Sequence, residues 1–396
     1  HLIGFIEALE TLEERCVLSN SDILIREPIG VCGLITPWNW PMNQIALKVI
    51  PALATGCTCI LKPSEHTPIS AMIYAEIIHE AGYPAGVFNL INGLGDTVGS
   101  ALSRHRDVQM MSFTGSTRAG AAVTQDAAET VKRVTLELGG KSPNLVFADC
   151  DLAERVTASV GECMFNTGQS CDAPTRLLVE RACYDEVLKI AKRAAEATAV
   201  GDPAQAGDHI GPLFDRIQYE RVQAMIHKGL AEGATLLAGG PGKPEGCEIG
   251  WYVKPTIFAD VSNDMAIAQE EIFGPILPII GYTSKEEVIN IIDNKPKPLA
   301  LYIQSKDQKS IAFFIENTTA GGTVINDFMI HYANPHLPFG GVNNSGIGKS
   351  HGYYGFQEFT NERAVMRQRF GATSLLHPPF TSRSEKLARL LGKWLS

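Results

Sequence analysis

Cys171 closes the run Phe165-Asn-Thr-Gly-Gln-Ser-Cys171, in which Gly168 allows a tight backbone turn just ahead of a thiol. A cysteine presented by such a turn can be exposed and reactive, although a single cysteine is commonly a small buried hydrophobe, and local context leaves both readings open. Glu137 stands 34 residues earlier in Thr135-Leu-Glu137-Leu-Gly-Gly-Lys141. A carboxylate between two leucines becomes a general base near neutral pH if it is desolvated, or stays an ordinary surface Glu at a strand end if it is not. Together, a thiol and a base are the minimal kit for acyl transfer through a covalent intermediate. Thr36-Pro-Trp-Asn39-Trp-Pro41 adds an amide clamped on a stiff loop. Asn39 can donate to an oxyanion there, or Trp38 and Trp40 can simply fill a packing corner.

A second group of segments could hold a nucleotide. Lys62 and Glu65 in Leu61-Lys-Pro-Ser-Glu65 follow a strand, where α/β sheets bind ligands and a carboxylate can accept from a ribose hydroxyl. Phe113-Thr-Gly115-Ser116-Thr-Arg-Ala-Gly120 opens a helix whose free N–H groups attract phosphate; no Lys follows Gly120, so it is not a P-loop. Gly93-Leu-Gly95-Asp-Thr-Val-Gly99 approaches the dinucleotide fingerprint with one residue too many. In Gln269-Glu-Glu271-Ile-Phe273-Gly-Pro275, an acid and an aromatic before a Gly-Pro turn suit a sugar and a planar ring, or a capped helix end.

The elements that must position these residues alternate between strand and helix. Strands are expected at 31–36, 58–61, 87–91, 108–113, 134–136, 144–147 and 176–179. Helices are expected at 44–56, 69–81, 152–165, 184–199 and 219–232, and 239–250 reads as a surface loop. This β-α-β-α rhythm predicts parallel sheets covered by helices. A loop with Pro378 and Pro379 leads to 384–396, where Leu387, Leu390, Leu391, Trp394 and Leu395 share a helical face. That helix either docks on the body or a partner subunit, or lies on a membrane surface.

Composition narrows the class further. The 396 residues suggest two to three domains, and the net charge of −9 argues against a nucleic-acid partner. Nine cysteines without zinc-like pairs, and no HExxH, give no metal site and fit a reduced, cytoplasmic protein. No apolar stretch reaches the roughly 20 residues of a membrane span. The chain does not begin with Met and its first residues read as mid-domain, so a preceding N-terminal portion is expected.

In their order, the six segments resemble the NAD(P)-dependent aldehyde dehydrogenases from residue 1 to about residue 370. Lys297-Pro-Leu-Ala-Leu-Tyr302, Leu337-Pro-Phe-Gly-Gly341, Asn344-Ser-Gly346 and His351-Gly352 are most similar to the class-three and coniferyl-aldehyde branches, and Gly168-Gln-Ser-Cys-Asp-Ala-Pro-Thr-Arg176 resembles bacterial members. The resemblance implies that Cys171 is the nucleophile and Glu137 the base for the hydrolytic water. The Asn39 amide and the Cys171 N–H would form the oxyanion hole. Lys62 and Glu65 would meet the adenosine ribose, Gly115 and Ser116 the pyrophosphate, Glu271 the nicotinamide ribose and Phe273 its ring; Trp38, Gly95 and Gly99 are counted with the cofactor residues. The implied activity is oxidation of an aldehyde, aromatic or medium-to-long aliphatic, to an acid. Glu65 favours NAD, with NADP also accommodated.

The resemblance also implies an α/β aldehyde dehydrogenase-like fold with a Rossmann-like cofactor domain, a parallel-sheet catalytic domain and a β bridging arm. Residues 1–139 would form the cofactor domain, 140–341 the catalytic domain, 342–370 the return to the cofactor domain and arm, and 371–396 a tail. The arm would combine about 11–27 with 360–370 and build a homodimer or homotetramer. A coenzyme-A-acylating enzyme is the alternative, opposed by Glu137; a non-catalytic relative is opposed by the intact Cys171, Glu137 and Asn39. Two residues depart from the pattern. Asp172 follows the nucleophile and would raise the thiol pKa and repel anionic substrates. Ser350 stands where tetrameric relatives often carry Glu, so a proton relay through that position does not carry over from the resemblance.

Overall fold

The structure is a computed structural model that describes residues 1–19, 22–293, 298–328, 334–366 and 381–395. Lys297, residues 367–370 of the expected arm and the proline-bearing loop at 371–380 lie outside the described residues.

Near-continuous apolar runs such as Val31–Ile35 and Met110–Gly115 are the signature of parallel strands buried on both faces. They form the centre of a six-stranded sheet ordered Gly346–Ile347, Arg133–Leu138, Met110–Gly115, Val31–Ile35, Thr58–Lys62, Phe88–Leu90. The five longer strands are parallel, and Gly346–Ile347 joins antiparallel against Glu137 and Leu136. Chain order reverses direction between Val31–Ile35 and Met110–Gly115. Beyond the carboxyl ends of these two strands lies the crevice in which open α/β sheets bind ligands. The loops leaving those ends carry Trp38 and Asn39 on one side and Gly115 and Ser116 on the other.

A second, seven-stranded sheet runs Thr235–Ala238, Thr256–Ala259, Ile276–Tyr282, Arg176–Glu180, Pro143–Val146, Ala300–Gln304, Gly322–Ile325. All its pairings are parallel except the first. Its two faces are packed by separate apolar clusters, one around Phe258, Ile267 and Phe314 and the other around Val160, Leu177 and Val187. Arg15–Val17, Asp22–Pro28 and Thr360–Met366 form a third, antiparallel sheet of three strands. The α/β reading therefore holds.

Several element ends differ from the expected ones for local reasons. The helix expected from Gln44 begins at Pro41, because proline presets φ and lacks the N–H that a first turn leaves unsatisfied. The helix expected from Tyr219 begins at Arg216, capped by Asp215, whose carboxylate accepts from Gln218 N at 2.7 Å. The strand expected at 134–136 continues to Leu138, which puts Glu137 inside the sheet instead of at its edge. The last helix spans Ser382–Leu395, with Leu390 exposed; the side chains of Leu391, Trp394 and Leu395 lie outside the described residues. No helix among the described residues is long and apolar enough to cross a membrane.

Candidate active site

Cys171 is delivered by an unusual turn. Asn166, Thr167 and Gly168 all take left-handed conformations, with φ of 49°, 57° and 72°. Consecutive positive φ values are costly for non-glycine residues and persist only where surroundings fix them. Here Gln169 Nε2 donates to Asn166 O at 3.0 Å, and Thr167 Oγ1 donates to Gly211 O at 3.0 Å. At Gly168 a Cβ would lie 2.3 Å from the Gly274 carbonyl oxygen, so both φ and space demand glycine. The turn is tied to the other sheet as well: Asn39 Nδ2 donates to Gln169 O at 3.0 Å, and Asn166 Nδ2 donates to Asn39 O at 3.2 Å. Trp40 Nε1 donates to Ser170 Oγ at 3.1 Å, and Ser170 Oγ donates to Asp172 Oδ1 at 2.7 Å.

Cys171, Glu137 and Asn39 line one chamber of about 230 Å³ together with Trp38, Gly115, Ser116, Phe214, Glu271 and Phe273. Burial pushes the Cys171 thiol well above its ordinary value, and Asp172, Glu137 and Glu271 push it the same way. Burial likewise lifts the Glu137 carboxyl far above the usual carboxylate range, against the pull of Lys48, Lys349 and the Ser350 hydroxyl. Ser350 Oγ donates to Glu137 Oε1 at 3.4 Å. Glu137 Oε2 is buried and accepts no hydrogen bond among the described residues. Such an oxygen suits a group that must take a proton from something entering the site.

A larger cleft of about 650 Å³ is lined by Glu65, Gly95, Gly99, Phe113 and Arg118. Lys62 stands behind this cleft, its buried ammonium donating to Pro63 O at 3.0 Å and to Glu65 Oε2 at 3.1 Å. Partial burial works against ionisation of Glu65, but its own backbone N–H, Lys62 and His66 outweigh that effect and hold the carboxyl below its ordinary value. Gly115 and Ser116 precede the helix Thr117–Ala128, with Ser116 Oγ accepting from Ala119 N at 3.3 Å. In the chamber, Trp38 stacks on Phe214 with centroids 3.8 Å apart and meets Phe273 edge-on at 5.5 Å. Phe273 has φ of 57°, held by Gln218 Nε2, which donates to its carbonyl at 2.8 Å and to Ile272 O at 2.9 Å. Glu271 is pushed up to about 7 by burial, and its Oε1 accepts from Gly140 N at 3.3 Å. A Cβ at Gly139 would lie 2.0 Å from that carboxylate. The sequence-derived residues thus divide between two neighbouring spaces: Glu65, Gly95 and Gly99 in the cleft, and Trp38, Asn39, Gly115, Ser116, Glu137, Cys171, Glu271 and Phe273 in the chamber.

Several residues around the site escaped sequence reasoning. Lys48 is buried on the helix Pro41–Ala54 and donates to Ser112 Oγ at 2.9 Å; burial pulls its pKa down while Glu137 supports its charge. Its only signal was a charge among apolar helix positions. Phe214, Gln218 and Arg221 come from a loop and helix with no distinguishing local pattern.

Comparison with known proteins shows the family to which this fold belongs. The family model described as "Aldehyde dehydrogenase family" matches residues 4–365. A Pseudomonas sp. protein named 3-succinoylsemialdehyde-pyridine dehydrogenase is 49% identical over 343 residues, covering 87% of this chain and 71% of its own length. The crystal structure of an aldehyde dehydrogenase from Bartonella henselae matches with a TM-score of 0.90 at 47% identity, covering 93% of this chain and 77% of that one. A mutant of aldehyde dehydrogenase C from Pseudomonas syringae, solved with NAD+ and octanal, matches with a TM-score of 0.88 at 44% identity, covering 92% and 75%.

Proposed function

This chain belongs to the aldehyde dehydrogenase family, enzymes that oxidise aldehydes with NAD, and from that premise we propose that it forms a thioester on Cys171 and hydrolyses it with Glu137. The observation that carries this reading is the single chamber shared by Cys171, Glu137 and Asn39. The same space holds the Trp38–Phe273 aromatic pair and Glu271, a wall and a carboxylate that suit a planar ring and a ribose. Glu65 at the rim of the adjoining cleft, with its charge held by Lys62, suits the second ribose, while Gly115 and Ser116 offer a helix start for the phosphates. When bound there, NAD supplies the acceptor for a hydride.

The Cys171 thiolate attacks the aldehyde carbon, forming a C–S bond as the carbonyl electron pair moves to oxygen. One amide hydrogen of Asn39 is engaged by Gln169 O, so the other serves the oxyanion together with the Cys171 N–H. Collapse of the oxyanion expels the hydride and leaves the thioester. Glu137 then takes a proton from water through its unpartnered Oε2 while the water oxygen attacks the acyl carbon. Breaking the C–S bond frees the acid and returns the Cys171 thiolate that began the cycle.

Medium-chain aliphatic or aromatic aldehydes are the proposed substrates. The Pseudomonas syringae relative holds octanal, and the Pseudomonas sp. relative is named for a pyridine-bearing semialdehyde. Trp40 and Phe165, stacked at 5.6 Å next to Ser170, offer this chain an apolar wall for either. We further propose a homodimer or homotetramer built through the three-stranded sheet.

The test is NADH production across a panel of aliphatic and aromatic aldehydes without coenzyme A, alongside Cys171→Ala. Turnover that vanishes in the variant supports the reading. A coenzyme A requirement would replace hydrolysis by acyl transfer, and no turnover from folded protein with any aldehyde would sink the proposal.

A further inference from the structure

A second, much smaller cavity of about 30 Å³, the rear cavity, shares Cys171, Glu137 and Thr114 with the chamber but none of the Trp38, Phe214 and Phe273 rings. On that measure it holds a single water, given polar partners. Its lining supplies them. Cys171, Glu137, Lys48, Ser112, Thr114, Lys349, Ser350 and Glu358 all line it. Two of these groups are buried polar atoms without a hydrogen-bond partner among the described residues, Glu137 Oε2 and Thr114 Oγ1. Thr114 and Glu137 sit side by side on paired parallel strands. Buried polar groups left unpaired around a water-sized space point to a water held between them.

Glu358 leads from this cavity towards solvent. It is only half-buried, whereas Lys48, Ser112 and Thr114 are fully buried. Its Oε1 accepts from Lys349 N at 2.9 Å, while Arg133 Nη1 donates to its backbone carbonyl at 2.9 Å. Ser350 cannot take its place as a terminal acceptor, because a hydroxyl does not hold an excess proton near neutral pH and this one already faces Glu137 Oε1 and Phe339 O. Lys349 is also committed, its ammonium donating to the carbonyls of Gly340, Gly341 and Gly321.

Oxidation of one aldehyde with water and NAD yields a carboxylate, NADH and two protons, both from the water once Cys171 is restored, and one of them passes through Glu137. The proton that Glu137 takes from the water must leave before the next turnover. We infer that it leaves by the rear cavity, passing from Glu137 through the water held beside Thr114 and Lys48 to the carboxylate of Glu358 and then to solvent. This inference rests on the thioester reading above. Glu358 touches no reacting atom and acts through Glu137.

The experiment measures decay of the acyl group on Cys171 in single turnover, by quenching and intact mass, across a pH range in parent, Glu358→Gln and Glu358→Asp. The glutamine keeps a carbonyl oxygen for Lys349 N but cannot carry the proton. The expected result is a deacylation plateau at least tenfold lower in Glu358→Gln, recovered in part by Glu358→Asp and by a small permeating base such as imidazole. The size of the first NADH burst stays unchanged. Glu358 also opposes ionisation of Glu137 by its charge, alongside the opposite influence of Lys48 and Lys349. If Glu358 acted by charge alone, its neutralisation would move the acid limb to lower pH and leave the plateau intact, which would overturn the relay. An unchanged profile would overturn it too. A parent that forms no acyl-enzyme would instead refute the underlying function.

Discussion

Lys62 and Glu65 are joined at 3.1 Å across the end of their strand, with the lysine buried and the carboxylate half-exposed at the cleft rim. The lysine therefore holds a fixed negative charge where a ribose is proposed to sit. A 2′-phosphate would meet that charge, whereas a 2′-hydroxyl would donate to it. Glu65→Gln is expected to raise the NADP to NAD ratio of kcat/KM at least tenfold, chiefly by improving NADP. An unchanged ratio in steady-state assays would remove Glu65 from cofactor selection.

Gly168 allows no side chain, given φ of 72° and the Gly274 carbonyl 2.3 Å from any Cβ. Gly168→Ala would displace the Cys171 turn, and a shift of about 1 Å in a reacting group can cost on the order of 100-fold in rate. Turnover should fall by that factor while circular dichroism stays close to that of the parent. Parental kcat would show that the turn tolerates repacking.

Asp172 adds to the forces that keep the Cys171 thiol protonated. Asp172→Asn preserves an acceptor for Ser170 Oγ, now 2.7 Å away, and removes the charge. The apparent thiol pKa read from the pH dependence of iodoacetamide alkylation should fall, with severalfold faster alkylation at pH 7.5. Semialdehydes bearing a carboxylate should gain in kcat/KM relative to neutral aldehydes. An unmoved alkylation profile would leave Asp172 without an electrostatic role.

Lys141 is buried with its ammonium lacking a hydrogen-bond partner among the described residues, and burial pulls its pKa down to about 7. The unfolded chain keeps this group near its ordinary value of about 10.4, so between the two values the unfolded state binds the extra proton. The penalty is full below about pH 7 and fades as pH rises towards 10.4. Lys141→Met should therefore raise the thermal midpoint more at pH 6.5 than at pH 9.5, by about 3 °C or more. Equal shifts at both pH values would mean that the lysine is paired or hydrated in solution.

Much of this site could be read from local sequence because its central residues sit on loops with their own chemistry. Asn39 lies between two tryptophans and two prolines, and Cys171 follows a glycine turn. Apolar runs and turn residues likewise placed the five parallel strands of the first sheet to within a few residues, but of the second sheet only Pro143–Val146 and Arg176–Glu180. The rear of the site was hidden. Ser112 and Thr114 look like ordinary polar positions in a strand, Lys48 belongs to a helix, and Glu358 comes from 221 positions after Glu137. What groups them is the order of parallel strands and the antiparallel return of Gly346–Ile347 beside Glu137, a long-range pairing with no local trace. Lys62 shows the opposite case: its position after a strand was plain, but burial directs its charge to Glu65 instead of the open cleft.

The hydrogen bond from Asn39 to Gln169 O joins the crevice loop of one sheet to the thiol turn of the other. Catalysis thus works as a gauge of alignment between two bodies that each have a core of their own. Solvent conditions that let the sheets slip against each other would silence the enzyme while both remained folded. In a urea titration, turnover should disappear at a lower concentration than the ellipticity of either sheet, and coincident losses would mean that the two behave as one cooperative unit.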